Sequence, residues 1–271
     1  MAAKVVTSES DVVPPRSFER LAIIFCAKNC EKTIGNAIAS VNEARFPNMD
    51  SITIVIDGFS TDSTAKAAKD AGGTSVIQQP ERKFPGKGIA MRAGLAEATR
   101  LQADIAMFLD ADIKNLTRDW VYRLVEPVLQ GGYDMARGYY DRRPRDAAVT
   151  KLVTKPMISV LFPELANIEQ PLSGEVCATM KAWHDLLESG RKHSDVPIPD
   201  GWGIDVWFLI EGMMAGQKIK EVFLGKKEHA SYDEYAEDVS VLSKMSEQIL
   251  FTIIKEAVKY GRFESYKTVS I

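Results

Sequence analysis

Short apolar runs alternate with stretches whose apolar positions recur at helical spacing, and this alternation organises the first half of the chain. Leu21–Ala27, Ser51–Asp57, Ser75–Gln78 and Ile105–Leu109 read as strands: short, apolar and flanked by helical patterns. Glu31–Ala44, a segment capped near Thr61 or Asp62 and closed by Gly72-Gly73, and Gly86–Arg100 read as helices. That βαβαβ-α-β order predicts an α/β fold, a mostly parallel sheet with right-handed crossovers flanked by helices. The second half is less regular. Trp120–Leu129 and Gly203–Ala215 read as helices, and Asp134–Tyr140 and Lys220–Leu224 as strands. Val149–Leu165 reads as one long amphipathic helix with Pro156 as a kink, and Glu234–Tyr260 as a long closing helix. Met1 to about Phe18 is polar with Pro14-Pro15, the pattern of a flexible leader. The expected organisation is a leader (1–18), a nucleotide-binding half (19–140) and a second half (141–271) of substrate walls, in one compact domain.

Composition narrows the function classes. A chain of 271 residues fits one or two domains, and its 45% apolar content supports a full core. The net charge of −3 gives no basic field of the kind a nucleic-acid binder uses. Cys26, Cys30 and Cys177 are an odd number, which argues against a disulfide framework, and Cys26-x₃-Cys30 lacks a second pair for zinc. No apolar stretch approaches the roughly 20 residues of a membrane span, and Met1–Arg16 lacks a signal-peptide core. A soluble cytoplasmic protein is expected.

The chemistry-bearing residues gather where strands end. Asp110 and Asp112 flank Ala111 after the Ile105–Leu109 run; at period two they reach one point, a hard oxygen site suited to Mg²⁺ or Mn²⁺ with phosphate oxygens. Ligands of open α/β sheets bind beyond that edge. Asp-x-Asp is also an ordinary turn, so the other motifs carry weight. Asp57-Gly58-Phe59-Ser60-Thr61-Asp62 joins a strand to a helix, with Asp57 placed to accept from a nucleobase or ribose. Gly86-Lys87-Gly88 opens a helix, where a diphosphate would meet a helix N-terminus and a lysine. The loop is not a Walker A motif, and no Gly-x-Gly-x-x-Gly follows the first strand, which counts against an NTPase and a dinucleotide oxidoreductase. His229 can complete a metal shell, whereas His184 and His193 sit in polar stretches and read as structural.

Together, Ala27 and Glu31, the Asp57–Asp62 segment, Gly86-Lys87-Gly88 and Asp110-Ala111-Asp112 resemble GT-A nucleotide-sugar glycosyltransferases. Glu169-Gln170-Pro171-Leu172-Ser173-Gly174-Glu175, Gly201-Trp202-Gly203-Ile204-Asp205, and His229 followed by Met245-Ser246-x-Gln248 narrow the resemblance to glucosyl-3-phosphoglycerate synthases and their mannosyl relatives. It covers about Leu21 to Val258. It implies a GT-A (Rossmann-like) fold with a C-terminal acceptor-binding part, Mg²⁺ or Mn²⁺, a UDP- or GDP-hexose donor, an anionic acceptor such as 3-phosphoglycerate, and a homodimer. By the same resemblance Ala27, Glu31 and Ser60 hold the nucleoside and Lys87 the pyrophosphate. Asp112 and His229 bind the metal, with Asp110 beside them on the ribose side. Gly174, Glu175, Trp202 and Asp205 line the sugar pocket, and Asp205, Glu175 and Lys87 carry catalysis.

The chain also departs from the family pattern. Where the family has Gly-Gly-Gly-Arg-Val-Thr, this sequence has Arg145-Asp146-Ala147-Ala148-Val149-Thr150, so anion capture passes to Arg142, Arg143, Arg145 or Lys151, beside Thr150. Trp202 replaces the usual Tyr and Asp205 the usual Glu, one methylene shorter. The resemblance implies retention of the α configuration; an inverting enzyme would need Asp205 as its base. A nucleotidyltransferase, and a nucleotide-sugar-binding protein without turnover, are the competing readings.

Overall fold

The computed structural model describes residues 18–130, 132–141, 147–192, 196–229 and 239–263. The leader, Arg142, Arg143, Arg145, His193 and the first residues of the expected closing helix lie outside them.

Seven strands form one sheet: β1 (Arg20–Ala27), β2 (Asp50–Asp57), β3 (Ser75–Gln78), β4 (Ile105–Asp110), β5 (Met135–Asp141), β6 (Val176–Thr179) and β7 (Ile219–Lys226), in the order β3-β2-β1-β4-β6-β5-β7. β1 to β4 run parallel, β6 is antiparallel to both β4 and β5, and β5 pairs parallel with β7. The alternation along β1 shows why a continuous apolar run suits this position. Leu21, Ile23 and Phe25 face a core built with α1 (Ile34–Asn42) and α4 (Arg118–Leu129). Ala22 and Ile24 face the opposite core, built with α3 (Lys87–Arg100), α6 (Met180–Lys192) and α7 (Ile204–Met214). Each such buried large aliphatic side chain contributes about 1.5–3 kcal/mol of transfer free energy. A third cluster joins α7 to α5 (Lys155–Leu161) and α8 (Val239–Lys259).

Three expectations shift. The helix after β2, α2 (Thr64–Asp70), starts later than expected, with Ser63 rather than Thr61 or Asp62 at its cap; Asp62 Oδ1, one residue earlier, accepts the Thr64 N–H at 3.0 Å. The single long helix over Val149–Leu165 is broken into a π-turn (Thr150–Thr154), α5 and a 3₁₀ turn (Pro163–Leu165). Pro156, in the first turn of α5, has no N–H to donate and its ring crowds the carbonyl four residues back, and Pro163 follows the non-helical Phe162 at which α5 ends. The third is an addition. β6 is only four residues long and passes straight into α6, with Thr179 Oγ accepting the Ala182 N–H at 3.1 Å, so no turn signal marks it.

Candidate active site

The carboxyl ends of β1, β2 and β4 open into a cleft of about 750 Å³. One of its walls is knitted from the loops after β1 and β2. Gly58 N–H donates to the Ala27 carbonyl at 2.7 Å, Asn29 N–H to Ser60 Oγ at 2.9 Å, and Ser63 N–H to Glu31 Oε2 at 3.0 Å. Asp57 Oδ2 accepts the Ser60 N–H at 3.2 Å, while its Oδ1 is buried with no hydrogen-bond partner. Ala27 and Glu31 line the cleft. Asp57 and Ser60 stand behind them and hold the loop. Thr33 Oγ donates to the Ala111 carbonyl at 2.8 Å, tying this wall to the Asp110–Asp112 turn.

On the floor, five charged side chains alternate in sign. Glu175 Oε1 accepts from Lys227 Nζ at 2.7 Å, and Lys227 also donates to Asp110 Oδ2 at 2.7 Å. Asp110 Oδ1 meets Lys87 Nζ at 3.3 Å, and Lys87 reaches Asp205 Oδ2 at 2.8 Å. Burial opposes charge on all five, and their neighbours decide the outcome. Lys87 and Lys227 are held above the ordinary lysine value because the facing carboxylates outweigh desolvation. Asp110 lies well below the usual carboxylate range, because the two lysines overcome its burial. Burial, reinforced by Asp110, pushes Glu175 and Asp205 up. Gly174 fits against this array: a Cβ there would lie 2.5 Å from Asp110 Oδ1.

The two glycines flanking Lys87 serve packing. A side chain on Gly88 would overlap the Pro199 carbonyl, and the Gly88 and Ile89 amides donate to the Asp200 carbonyl at 2.9 and 3.3 Å. The N-terminus of α3 therefore spends these donors on the protein, and Lys87 supplies the charge expected for an anion.

Asp110 and Asp112 part company because β4 ends at Asp110 and Ala111–Asp112 turn, so the period-two argument stops at the strand end. Both Asp110 oxygens carry lysines, whereas Asp112 Oδ2 lies 3.7 Å from His229 Nδ1. The pairing is built into the backbone. Ile113 bridges His229, Lys114 N–H donates to the Glu228 carbonyl at 2.7 Å, and Asn115 binds both the Lys226 carbonyl and the Glu228 N–H. A carboxylate and an imidazole fit a divalent cation that takes its remaining ligands from phosphate oxygens and water. Among the described residues no three metal-ligating side chains cluster, so Asp112 and His229 would hold such an ion only in part.

Across the cleft, Trp202 packs edge-to-face on Phe84 with ring centroids 5.6 Å apart, and its backbone N–H donates to Gln248 Oε1 at 3.0 Å. Side chains on Gly201 or Gly203 would overlap Gln248 or Thr252, so these glycines let α8 close on the loop. Thr150, buried, opens the π-turn. Ala147, which stands where the resembled family has Gly, takes the left-handed φ of 63° that glycine adopts freely.

Comparison with known proteins agrees with this geometry. A family model described as mannosylglycerate synthase, GT domain, matches residues 58–245. The chain belongs to that family. Glucosyl-3-phosphoglycerate synthase of Mycolicibacterium paratuberculosis (strain ATCC BAA-968 / K-10) is 32% identical over 254 residues, covering 86% of this chain and 71% of that protein. Mannosylglycerate synthase of Rhodothermus marinus is 30% identical over 192 residues, 65% of this chain and 47% of that one. The crystal structure of Mycobacterium tuberculosis glucosyl-3-phosphoglycerate synthase in complex with Mn²⁺, UDP-glucose and phosphoglyceric acid superposes with a TM-score of 0.71 at 30% identity, over 88% of this chain and 80% of that one. This member of the mannosylglycerate synthase family is accordingly an α/β glycosyltransferase.

Sequence reasoning missed two residues of its site. Lys227 lies two positions before His229 on an extended segment, and that same-face spacing was the available signal. Arg137, fully buried on β5, donates from one nitrogen to the carbonyls of Pro171, Ser173 and Asp205 at 3.2–3.3 Å, bracing the loop before Gly174 against α7. An arginine inside a strand-like run was its only mark.

Proposed function

We propose that this enzyme transfers a hexose from a UDP- or GDP-sugar to 3-phosphoglycerate or a related small acid, with retention of the α configuration. The observation that carries the reading is the approach of Asp112 and His229 in the cleft that Lys87 also lines, in a chain that superposes on a relative holding Mn²⁺, UDP-glucose and phosphoglyceric acid. Asp112 and His229 would hold Mg²⁺ or Mn²⁺, which supplies Lewis-acid neutralisation of a leaving diphosphate. Lys87 turns from Asp205 toward that diphosphate and adds a positive charge where negative charge develops. Ala27 and Glu31 seat the nucleoside, and Asp57 and Ser60 keep their loop in shape. Gly174, Glu175, Trp202 and Asp205 shape the sugar pocket, and holding donor and acceptor together lowers the barrier by about 7–11 kcal/mol.

Retention is the outcome that the family resemblance implies, and attack on the donor's own face fits the resting pairing of the carboxylates with lysines. Asp205 and Glu175 are already counter-ions of Lys87 and Lys227. The acceptor oxygen therefore bonds to the anomeric carbon as its bond to the phosphate oxygen breaks, and the hydroxyl proton passes to the departing phosphate. The acceptor lies toward Thr150, and Arg142 and Arg143, outside the described residues, would be the cations that capture its acid groups. The nucleotide-binding half ends near residue 140, and the remainder supplies the acceptor walls together with the sugar-pocket residues and His229. Among the described residues no helix is long and apolar enough to cross a membrane, which suits a small soluble acceptor. The enzyme works as a homodimer, a second copy covering the exposed Val160, Phe251 and Val258 of α5 and α8.

The test is nucleoside diphosphate release from a panel of UDP- and GDP-sugars with Mn²⁺, with and without 3-phosphoglycerate. Release that requires 3-phosphoglycerate and yields an α-linked product supports the reading. A β-linked product would move the role of base to Asp205, and no release with any donor would leave a binding protein. Light scattering that returns a monomer would remove the dimer.

A further inference from the structure

Two lysines share Asp110, and their settings differ. Lys227 takes Oδ2 at 2.7 Å, has a side chain only 5% exposed, and spends its other contact on Glu175, which is fully buried. Its ammonium also lies 4.9 Å from the centroid of the Tyr140 ring. Lys87 takes Oδ1 at the longer distance of 3.3 Å and is 21% exposed, on the open side of the floor. Withdrawing Lys227 would take from the buried Glu175 the cation that contacts it, a costly state for a charge out of water. Lys87 can turn to a ligand while Asp110 keeps its other cation. The backbone holds this division in place, since Asn115 fixes the chain on both sides of Lys227.

Resting on the donor reading above, we infer that Lys227 is a positioning residue: the fixed counter-ion of Asp110 and Glu175 that leaves Lys87 free to engage the donor's diphosphate. The floor holds three carboxylates and two ammonium groups. If Lys227 were neutral, Asp110 and Glu175 would both draw on Lys87, and an incoming diphosphate would compete with them for a single cation. Lys227 therefore acts on the donor through Lys87, with no contact of its own required.

Calorimetric titration of UDP with Mn²⁺ into the full chain tests this as a double-mutant cycle. Lys227→Met is expected to weaken UDP binding about tenfold, the loss typical of a removed supporting partner, and Lys227→Arg to restore most of it. In a Lys87→Met background, Lys227→Met is expected to cause little further loss. Should Lys227→Met fail to fold, Lys227→Met with Glu175→Gln removes the stranded buried charge and is measured against Glu175→Gln alone. Unchanged affinity in the folded variant, or a loss equally large without Lys87, would overturn the inference. Wild-type protein that binds neither UDP nor GDP would instead remove the donor reading, and this inference with it.

Discussion

Two clusters of buried charge sit on α7 and its neighbours, and they resolve their charge differently. On the cleft floor, each lysine stands between two carboxylates, and Lys87 keeps a face open to the cleft. Between α7 and α8, two carboxylates share one lysine: Lys259 lies 2.6 Å from Glu211 and 3.6 Å from Glu256, with all three side chains at most 4% exposed. Tyr260 Oη and Ser189 Oγ donate to Glu211 at 2.8 and 2.9 Å. That closed cluster balances itself with a proton. Burial, and then Glu211, push the Glu256 carboxyl up to about 8, while donors from Glu256, Lys259 and Tyr260 outweigh burial and keep Glu211 low. The floor has an opening through which a ligand can join it. The contrast separates a cluster built to bind from one that holds α8 against α7.

The largest effect that sharpens this contrast is expected at Asp112, which faces His229. Asp112→Ala should lower kcat/KM about a thousandfold, as the loss of several kcal/mol of charge stabilisation would, with the melting temperature nearly unchanged. Lys259→Met should do the reverse: removing one partner of a buried pair costs about 3 kcal/mol of stability in urea unfolding, with UDP affinity retained in the folded fraction. An equal fall in donor affinity would erase the distinction between the clusters. Gly174→Ala places a methyl group against Asp110 and should lower kcat about tenfold at near-native stability, by moving that carboxylate off its lysines.

The smallest effect is a slope. Folded Glu256 holds a proton that the unfolded chain releases near its ordinary value of 4.5. Its contribution is fully present below about pH 4.5 and is lost as pH rises through about 8. Unfolding free energies measured across that window should therefore fall more steeply with pH for the wild type than for Glu256→Gln. Parallel profiles would show that no proton is held there.

Much of this was legible in the chain, for physical reasons that differ by region. The strands from β1 to β4 were read within a residue or so at each end, because a doubly covered parallel sheet forces continuous apolar runs. β6 was not, being a four-residue strand that meets its helix without a turn. Among the site residues, the sequence placed Lys87, Asp112 and His229 on one edge through the strand-end rule and family motifs. It could not separate the tasks of Asp110 and Asp112, because that depends on where β4 stops. Lys227 and Arg137 stayed hidden because their roles come from partners more than 30 residues away in the chain, Arg137 reaching Pro171 at a separation of 34.

We propose that Asp112 and His229 form half of a metal site whose other half is the donor's diphosphate. Electron paramagnetic resonance of free Mn²⁺, titrated with protein in the presence and absence of UDP, tests it most directly. Weak uptake of Mn²⁺ alone, tight uptake with UDP, and loss of the tight mode in Asp112→Ala are the predicted results. Uptake that is equally tight without UDP, or that survives in Asp112→Ala, would contradict it.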